Sequence, residues 1–293
     1  MQLGIGLPGY LGDAIEPRAV LDWARVADAA GFHGVAAHDR PAHDTWDPMA
    51  TLAAVAGVTE RVRLATTALL LPPRDEVLVA KQAAVIDCVS GGRLDLGVAL
   101  GNRPDDYEVL GRPFQGRGRR LDEQLRRLVT LWDAAAERKP DAGTPGPAPI
   151  QRPHPPLWVG GYAPAAIGRA VALGDGYLFG APGVEAIGSR LPAIRRAATD
   201  AGRERFPIGA LAYVALSTDP GELEQAERLL THYYGTLHRP FAQMVHAGDA
   251  DRIRSTLDDY RRTGLDVLYL FPVIPAIGQL ERWAEELLPH ADS

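Results

Sequence analysis

Short, purely apolar runs alternate with longer amphipathic ones from end to end, and that alternation constrains the fold more than any other feature. The apolar runs fall at 3–7, 35–37, 62–71, 94–100, 157–159, 176–179, 208–216 and 267–271. A strand that is apolar along its whole length is buried on both faces, as in a parallel sheet covered by helices. The intervening stretches carry helical spacing. Val20, Leu21, Trp23, Ala24 and Ala27 share one face, Pro17 suits the first turn, and Gly31 supplies a stop. Eight such units in 293 residues favour an α/β fold that closes into a (β/α)8 TIM barrel over an open doubly wound sheet. No linker divides the chain. The proline-rich stretch 138–156 reads as an insertion loop, so residues 1–293 are expected to form one barrel domain.

Composition narrows the function. The net charge of −6 comes without a basic block, which disfavours nucleic acid and anionic membrane surfaces as partners. A single cysteine, Cys88, excludes an intrachain disulfide and a cysteine-rich metal site, and its apolar helical setting predicts a buried, inert thiol. No apolar run reaches the roughly 18 residues of a membrane helix. Residues 1–8 lack the positive and apolar regions of a signal peptide, so a soluble cytoplasmic protein is expected.

Reactive residues of such a barrel lie at the C-terminal ends of its strands. The segment after the second strand, 38–47, holds His38, Asp39, Arg40, His43, Asp44, Trp46 and Asp47. It is read as acid–base machinery: His38 or His43 titrates near neutral pH, and a carboxylate, Asp39 first, orients the ring. A metal reading lacks a paired His at i, i+4 and a thiolate, so no metal is expected. After the fifth strand, Gly160, Gly161 and Tyr162 open a helix. Two glycines allow close backbone approach, and the helix's first amides suit an anion. Asn102, after the fourth strand, offers an amide to a heterocycle edge. Tyr233, Tyr234, His232 and His238 are read as packing residues, and His246 as a helix-end residue.

Three stretches carry a resemblance. They are 61–68 (RVRLATTA), 78–98 (from LVAKQAAVID to SGGRLDLGV) and 157–176 (LWVGG, then GDG), with AGD at 247–249 and GLD at 264–266 in the same order. The chain resembles the bacterial luciferase-like superfamily along nearly its whole length. The resemblance implies a (β/α)8 barrel binding FMN or the deazaflavin coenzyme F-420 at its C-terminal mouth. It implies that Gly160, Gly161 and Tyr162 hold the cofactor phosphate through backbone N–H groups. A non-prolyl cis peptide at Thr67–Ala68 would press on the flavin ring, and His38 and Asp39 would lie beside it. Two departures stand out: Arg74-Asp75-Glu76 replaces the relatives' Arg-His-Pro, and the acid-then-His order is reversed as His38-Asp39.

The expected activity is that of a monooxygenase using reduced FMN and O2 on a small organic substrate. The alternative is a coenzyme F-420-dependent oxidoreductase transferring hydride without oxygen, and the remote one a non-catalytic flavin-binding protein. The expected partners are a small-molecule substrate, a flavin reductase and further copies of the chain.

Overall fold

The structure, a computed structural model, describes residues 1–16, 18–137, 146–237 and 239–291. The expectations for Pro17, for residues 138–145 and for His238 lie outside them. Ten strands are present among the described residues: β1 Gln2–Gly6, β2 Gly34–Ala37, β3 Arg63–Thr66, β4 Leu69–Leu70, β5 Leu94–Ala99, β6 Leu157–Gly160, β7 Gly176–Leu178, β8 Ile208–Leu216, β9 Val245–Gly248 and β10 Val267–Pro272. All pairings are parallel. The path β1-β2-β3-β5-β6-β7-β8 is closed by β10, which pairs with both β8 (Gly209 with Val267) and β1 (Ile5 with Leu270). This is the expected closed barrel. Its strands are almost fully buried, which is why they read as unbroken apolar runs.

Helices cover the outside, and local chemistry ends them. Ala19–Ala30 buries Val20, Trp23, Ala24 and Ala27 and stops at Gly31, whose φ of 90° suits a residue without a Cβ. Glu76–Ser90 is capped by Asp75, which accepts the amides of Val77 (2.9 Å) and Leu78 (3.0 Å). Such a cap is worth about 1 kcal/mol.

Two expectations about elements change. The third apolar run is not one strand. It breaks after Thr66 at a cis Thr67–Ala68 peptide and resumes as β4, which pairs with β5. Downstream of β8, the helix Pro220–Tyr234 and the short helix Phe241–Met244 are followed by a strand that periodicity missed. That strand, β9, pairs with Tyr213–Leu216 of β8, while β7 reaches only Ile208 and Gly209. It therefore takes over the edge of β8 beyond the end of β7. His246 lies within β9, with its Nε2 2.9 Å from the Tyr260 hydroxyl, not at a helix end. Cys88 is half-buried rather than buried; its thiol donates to the Ala148 carbonyl, and burial pushes its pKa up.

Candidate active site at the barrel mouth

His38 directly follows β2 and turns inward at the C-terminal end of the barrel, 8% exposed. Its ring stacks on Phe271 of β10 with centroids 4.0 Å apart and planes at 12°, and Tyr233 lies nearly parallel at 5.9 Å. Tyr10 meets it edge-on at 5.3 Å. Phe271 reaches the ring because β1 carries glycine beneath it: a Cβ on Gly6 would lie 2.2 Å from a Phe271 ring carbon.

The polar contacts of His38 fix its tautomer. Nδ1 is 2.8 Å from the Thr67 carbonyl, which can only accept, so the proton sits on Nδ1. Nε2 is then a bare lone pair, 3.1 Å from the Tyr213 hydroxyl, which donates to it. The Tyr213 oxygen in turn accepts the Tyr234 hydroxyl at 2.9 Å. One directional array thus runs from Tyr234 through Tyr213 and His38 to the Thr67 carbonyl. Burial lowers the His38 pKa to about 4, against the Thr67 carbonyl, which favours the charged ring. At neutral pH the imidazole is uncharged. Burial also raises Tyr10, Tyr213 and Tyr234, so the phenols stay protonated.

Tyr233 and Tyr234 end the helix Pro220–Tyr234, and two arginines clamp that end. Arg40, after β2, donates Nη1 to the Tyr233 carbonyl; Arg103, after β5, donates Nη1 to the carbonyls of Tyr233 (3.1 Å) and Tyr234 (3.2 Å). These are carbonyls a helix leaves unpaired, and the negative end of its dipole favours the cations. Arg103 also lies over both rings, at 5.7 and 5.5 Å, and Arg40 over Tyr233 at 5.6 Å.

Across the mouth, β6 ends at Gly160 and the helix Pro164–Leu173 begins after a turn with no capping side chain. A Cβ on Gly161 would lie 2.7 Å from the Ala166 Cβ, so only glycine lets the strand end close against the helix. The buried Tyr177 hydroxyl holds the Gly161 carbonyl. The turn is open: Gly161 is half-buried, and Tyr162, Ala163 and Pro164 are exposed. The Tyr162 hydroxyl sits against Gly180, where a Cβ would come within 2.1 Å. Beside His38, Thr67 Oγ1 is buried without a partner. An unsatisfied hydroxyl at the end of β3 and an open, uncapped glycine turn at the end of β6 fit a polar ring system with a phosphorylated tail. A cavity of about 500 Å³ lies elsewhere on the rim, beside Asp39, Arg40, Pro73 and Arg74, and the glycine turn does not line it.

The luciferase-like monooxygenase family matches residues 1–266. The chain belongs to that family. It is similar to the oxygenase component of the flavin-dependent trigonelline monooxygenase of Acinetobacter baylyi, 30% identical over 165 residues, covering 53% of this chain and 46% of the relative. The chain spans about half the length of the curated relatives it matches, 46% and 59% in two of them. Among solved structures, the monooxygenase RslO1 from Streptomyces bottropensis superposes with a TM-score of 0.82 at 26% identity, over 99% of this chain and all of that one. The coenzyme F-420-dependent tetrahydromethanopterin reductase from Methanopyrus kandleri shares the fold, with a TM-score of 0.77 at 18% identity over 99% of each chain.

Within this luciferase-like frame the remaining sequence-derived site residues separate. Asp39 points away from the array. Its carboxylate accepts the Leu70 N–H at 2.8 Å and pairs with Arg74 at 2.8 Å. Burial pushes it up to about 6, while Arg74 and the Leu70 amide pull it down. Its oxygens are committed to holding β4, so it positions the chain after Thr67–Ala68 rather than orienting His38. Arg74, which matches the first residue of the relatives' Arg-His-Pro, bridges Asp39 and Asp47, and Asp75, where the chain departs from that motif, caps the following helix. His43 stays on the rim, paired with Asp44, and Asn102 is exposed. The structure brings His38, Thr67 and Ala68 together and sets Gly160, Gly161 and Tyr162 on the facing side. Sequence reasoning missed Tyr213, Tyr10, Phe271 and Arg103, and took Tyr233 and Tyr234 as packing residues. A tyrosine inside an otherwise apolar strand, as at Tyr213, was the available signal, because a buried phenol needs a partner.

Proposed function

We propose that the chain is a flavin-dependent monooxygenase acting on a small organic substrate, with reduced FMN supplied by a partner reductase. Family membership supports the reaction class, and the Acinetobacter relative's being an oxygenase component supports a separate reductase. The observation that carries the reading is the directional array ending on a dry, uncharged His38. Gly160, Gly161 and Tyr162 would hold the phosphate through backbone amides, and Thr67 Oγ1 and Ala68 would meet the ring. Reduced FMN supplies, when bound, the electrons that activate dioxygen.

The chain's own part is to manage a proton. A proton reaching the Tyr234 oxygen displaces that residue's hydrogen onto Tyr213, and the Tyr213 hydrogen onto His38 Nε2. The phenols end neutral, and the imidazolium keeps its Nδ1–H on the Thr67 carbonyl. Because burial disfavours that cation, His38 returns the proton readily, which suits a transient base. Phe271, Tyr233 and Tyr10 wall the ring from water. Asp39 fixes the backbone that presents Thr67, and His43 serves the rim.

The same array could serve a coenzyme F-420-dependent hydride transfer, and the fold shared with the Methanopyrus reductase supports that alternative at the level of architecture alone. Titration of the whole protein with FMN and with coenzyme F-420, read by ring fluorescence, separates the two. We expect saturable FMN binding, weakened at least tenfold by Gly161→Ala. Tighter binding of coenzyme F-420 selects the alternative, and no binding of either overturns both.

A further inference from the structure

The loop after β2 carries a second cluster outside the array. Asp44 Oδ1 lies 2.6 Å from His43 Nδ1 and 3.7 Å from His232 Nε2, and one ligand atom from each of the three residues falls within 4.8 Å of the others. Among the described residues no other three such groups meet this way. The two imidazole rings are 4.7 Å apart. We propose that His43, Asp44 and His232 form a binding site for a borderline divalent cation of the zinc type at the edge of the mouth.

The donor set argues for that class. Two imidazoles and one carboxylate suit Zn²⁺ or Ni²⁺, whereas Mg²⁺ and Ca²⁺ prefer oxygen alone. Around tetrahedral zinc with bonds of ~2.0–2.1 Å, ligand atoms stand about 3.3 Å apart. Two of the three separations, 2.6 and 3.7 Å, bracket that value, and the third is within 4.8 Å, so side-chain rotation would bring the three atoms around one ion. The carboxylate is held from behind, where Oδ2 accepts the Asp13 N–H at 3.4 Å. The His43 side chain is only 7% exposed and its Nε2 is buried, so Nδ1, which also lies 3.1 Å from the Thr45 hydroxyl, is the coordinating atom. Burial keeps His43 uncharged against the pull of Asp44, and Arg40, Arg103 and His232 act in the same direction as burial. Those guanidinium groups oppose a dication and weaken its binding. His232 is exposed at 67%, which gives the cation an entry path and three protein ligands with a fourth position for water.

The site would join two distant parts of the chain. His43 and Asp44 belong to the β2 loop, and His232 to the helix whose end covers His38. An occupied site would staple that helix beside the two arginines that already hold it.

The test uses the full, tag-free protein after chelator treatment and dialysis, without flavin, so it stands apart from the monooxygenase reading. Isothermal titration with ZnCl2 should give one saturable site per chain, MgCl2 should give none, and amide exchange around 229–234 should slow. His232→Ala and Asp44→Asn, each confirmed folded by near-ultraviolet circular dichroism, should weaken zinc binding at least tenfold. No saturable site, or unchanged binding in both variants, overturns the proposal.

Discussion

His38 and His43 belong to one loop after one strand, yet they have become opposite kinds of residue. His38 is buried against Phe271 and Tyr233, carries no charge, and has both nitrogens in a fixed hydrogen-bond order. His43 sits at the rim with a carboxylate at 2.6 Å, a second imidazole at 4.7 Å and guanidinium groups nearby. Burial lowers both pKa values, but for His38 it is opposed only by a carbonyl, and for His43 by a full negative charge. The same side chain is thus a proton acceptor in one place and a candidate metal ligand in the other, and its surroundings alone decide.

The strongest way to break the contrast is at Tyr213. Tyr213→Phe removes the donor to His38 Nε2 and interrupts the array. Turnover with reductase, NADH, FMN and O2 should fall by about 10²-fold with KM little changed. The ¹⁵N resonance of Nε2 should move to that of an unbonded lone pair. Near-normal turnover in that variant would remove the array from the mechanism.

A smaller effect tests the charge state of His38. Its folded pKa, about 4, lies below the ordinary imidazole value of 6.5, so between those values the unfolded chain binds a proton that the native one refuses. Stability contributed by this residue is therefore full above the unfolded value and is lost as pH falls towards 4. Urea unfolding at pH 7 and pH 5 should differ by about 2 kcal/mol more in the wild type than in His38→Gln. Equal differences would mean that His38 is charged or exposed.

Arg103→Ala removes two hydrogen bonds to the helix end above His38. It should cost about 1 kcal/mol in urea unfolding and speed amide exchange at Tyr233 and Tyr234. At the rim, His43→Gln should change stability by no more than about 0.5–1 kcal/mol and turnover by less than tenfold. A larger loss at His43 than at Tyr213 would reverse the assignment of roles.

Much of this arrangement is legible in the sequence. Apolar runs under amphipathic helices can bury both sheet faces only in a parallel sheet, so the barrel and the eight staves followed. Placing His38 and the Gly160–Gly161 turn at one end followed from strand polarity, whereas Thr67 came only from the family resemblance. β9 escaped notice because Val245–Gly248 is four residues long and lacks a periodic signal. Its absence hid Tyr213, which is held between Val245 of β9 and Phe271 of β10. The His43–Asp44–His232 cluster escaped the sequence reading for a related reason. The sequence rule looks for paired histidines one helical turn apart, whereas His232 reaches His43 and Asp44 from another element.

Local order along the chain determined the staves, the capped and glycine-stopped helices and the end at which chemistry gathers, because periodicity and capping act between near neighbours. Tertiary structure alone decided that Asp39 would serve Arg74 and the Leu70 amide, that His38 would face aromatic rings and His43 a carboxylate, and that the Thr67 carbonyl would set the tautomer of His38 while a tyrosine from β8 donates to its other nitrogen. Those choices depend on burial and on partners remote in sequence, and a side chain's chemistry follows the medium and the neighbours it finally meets.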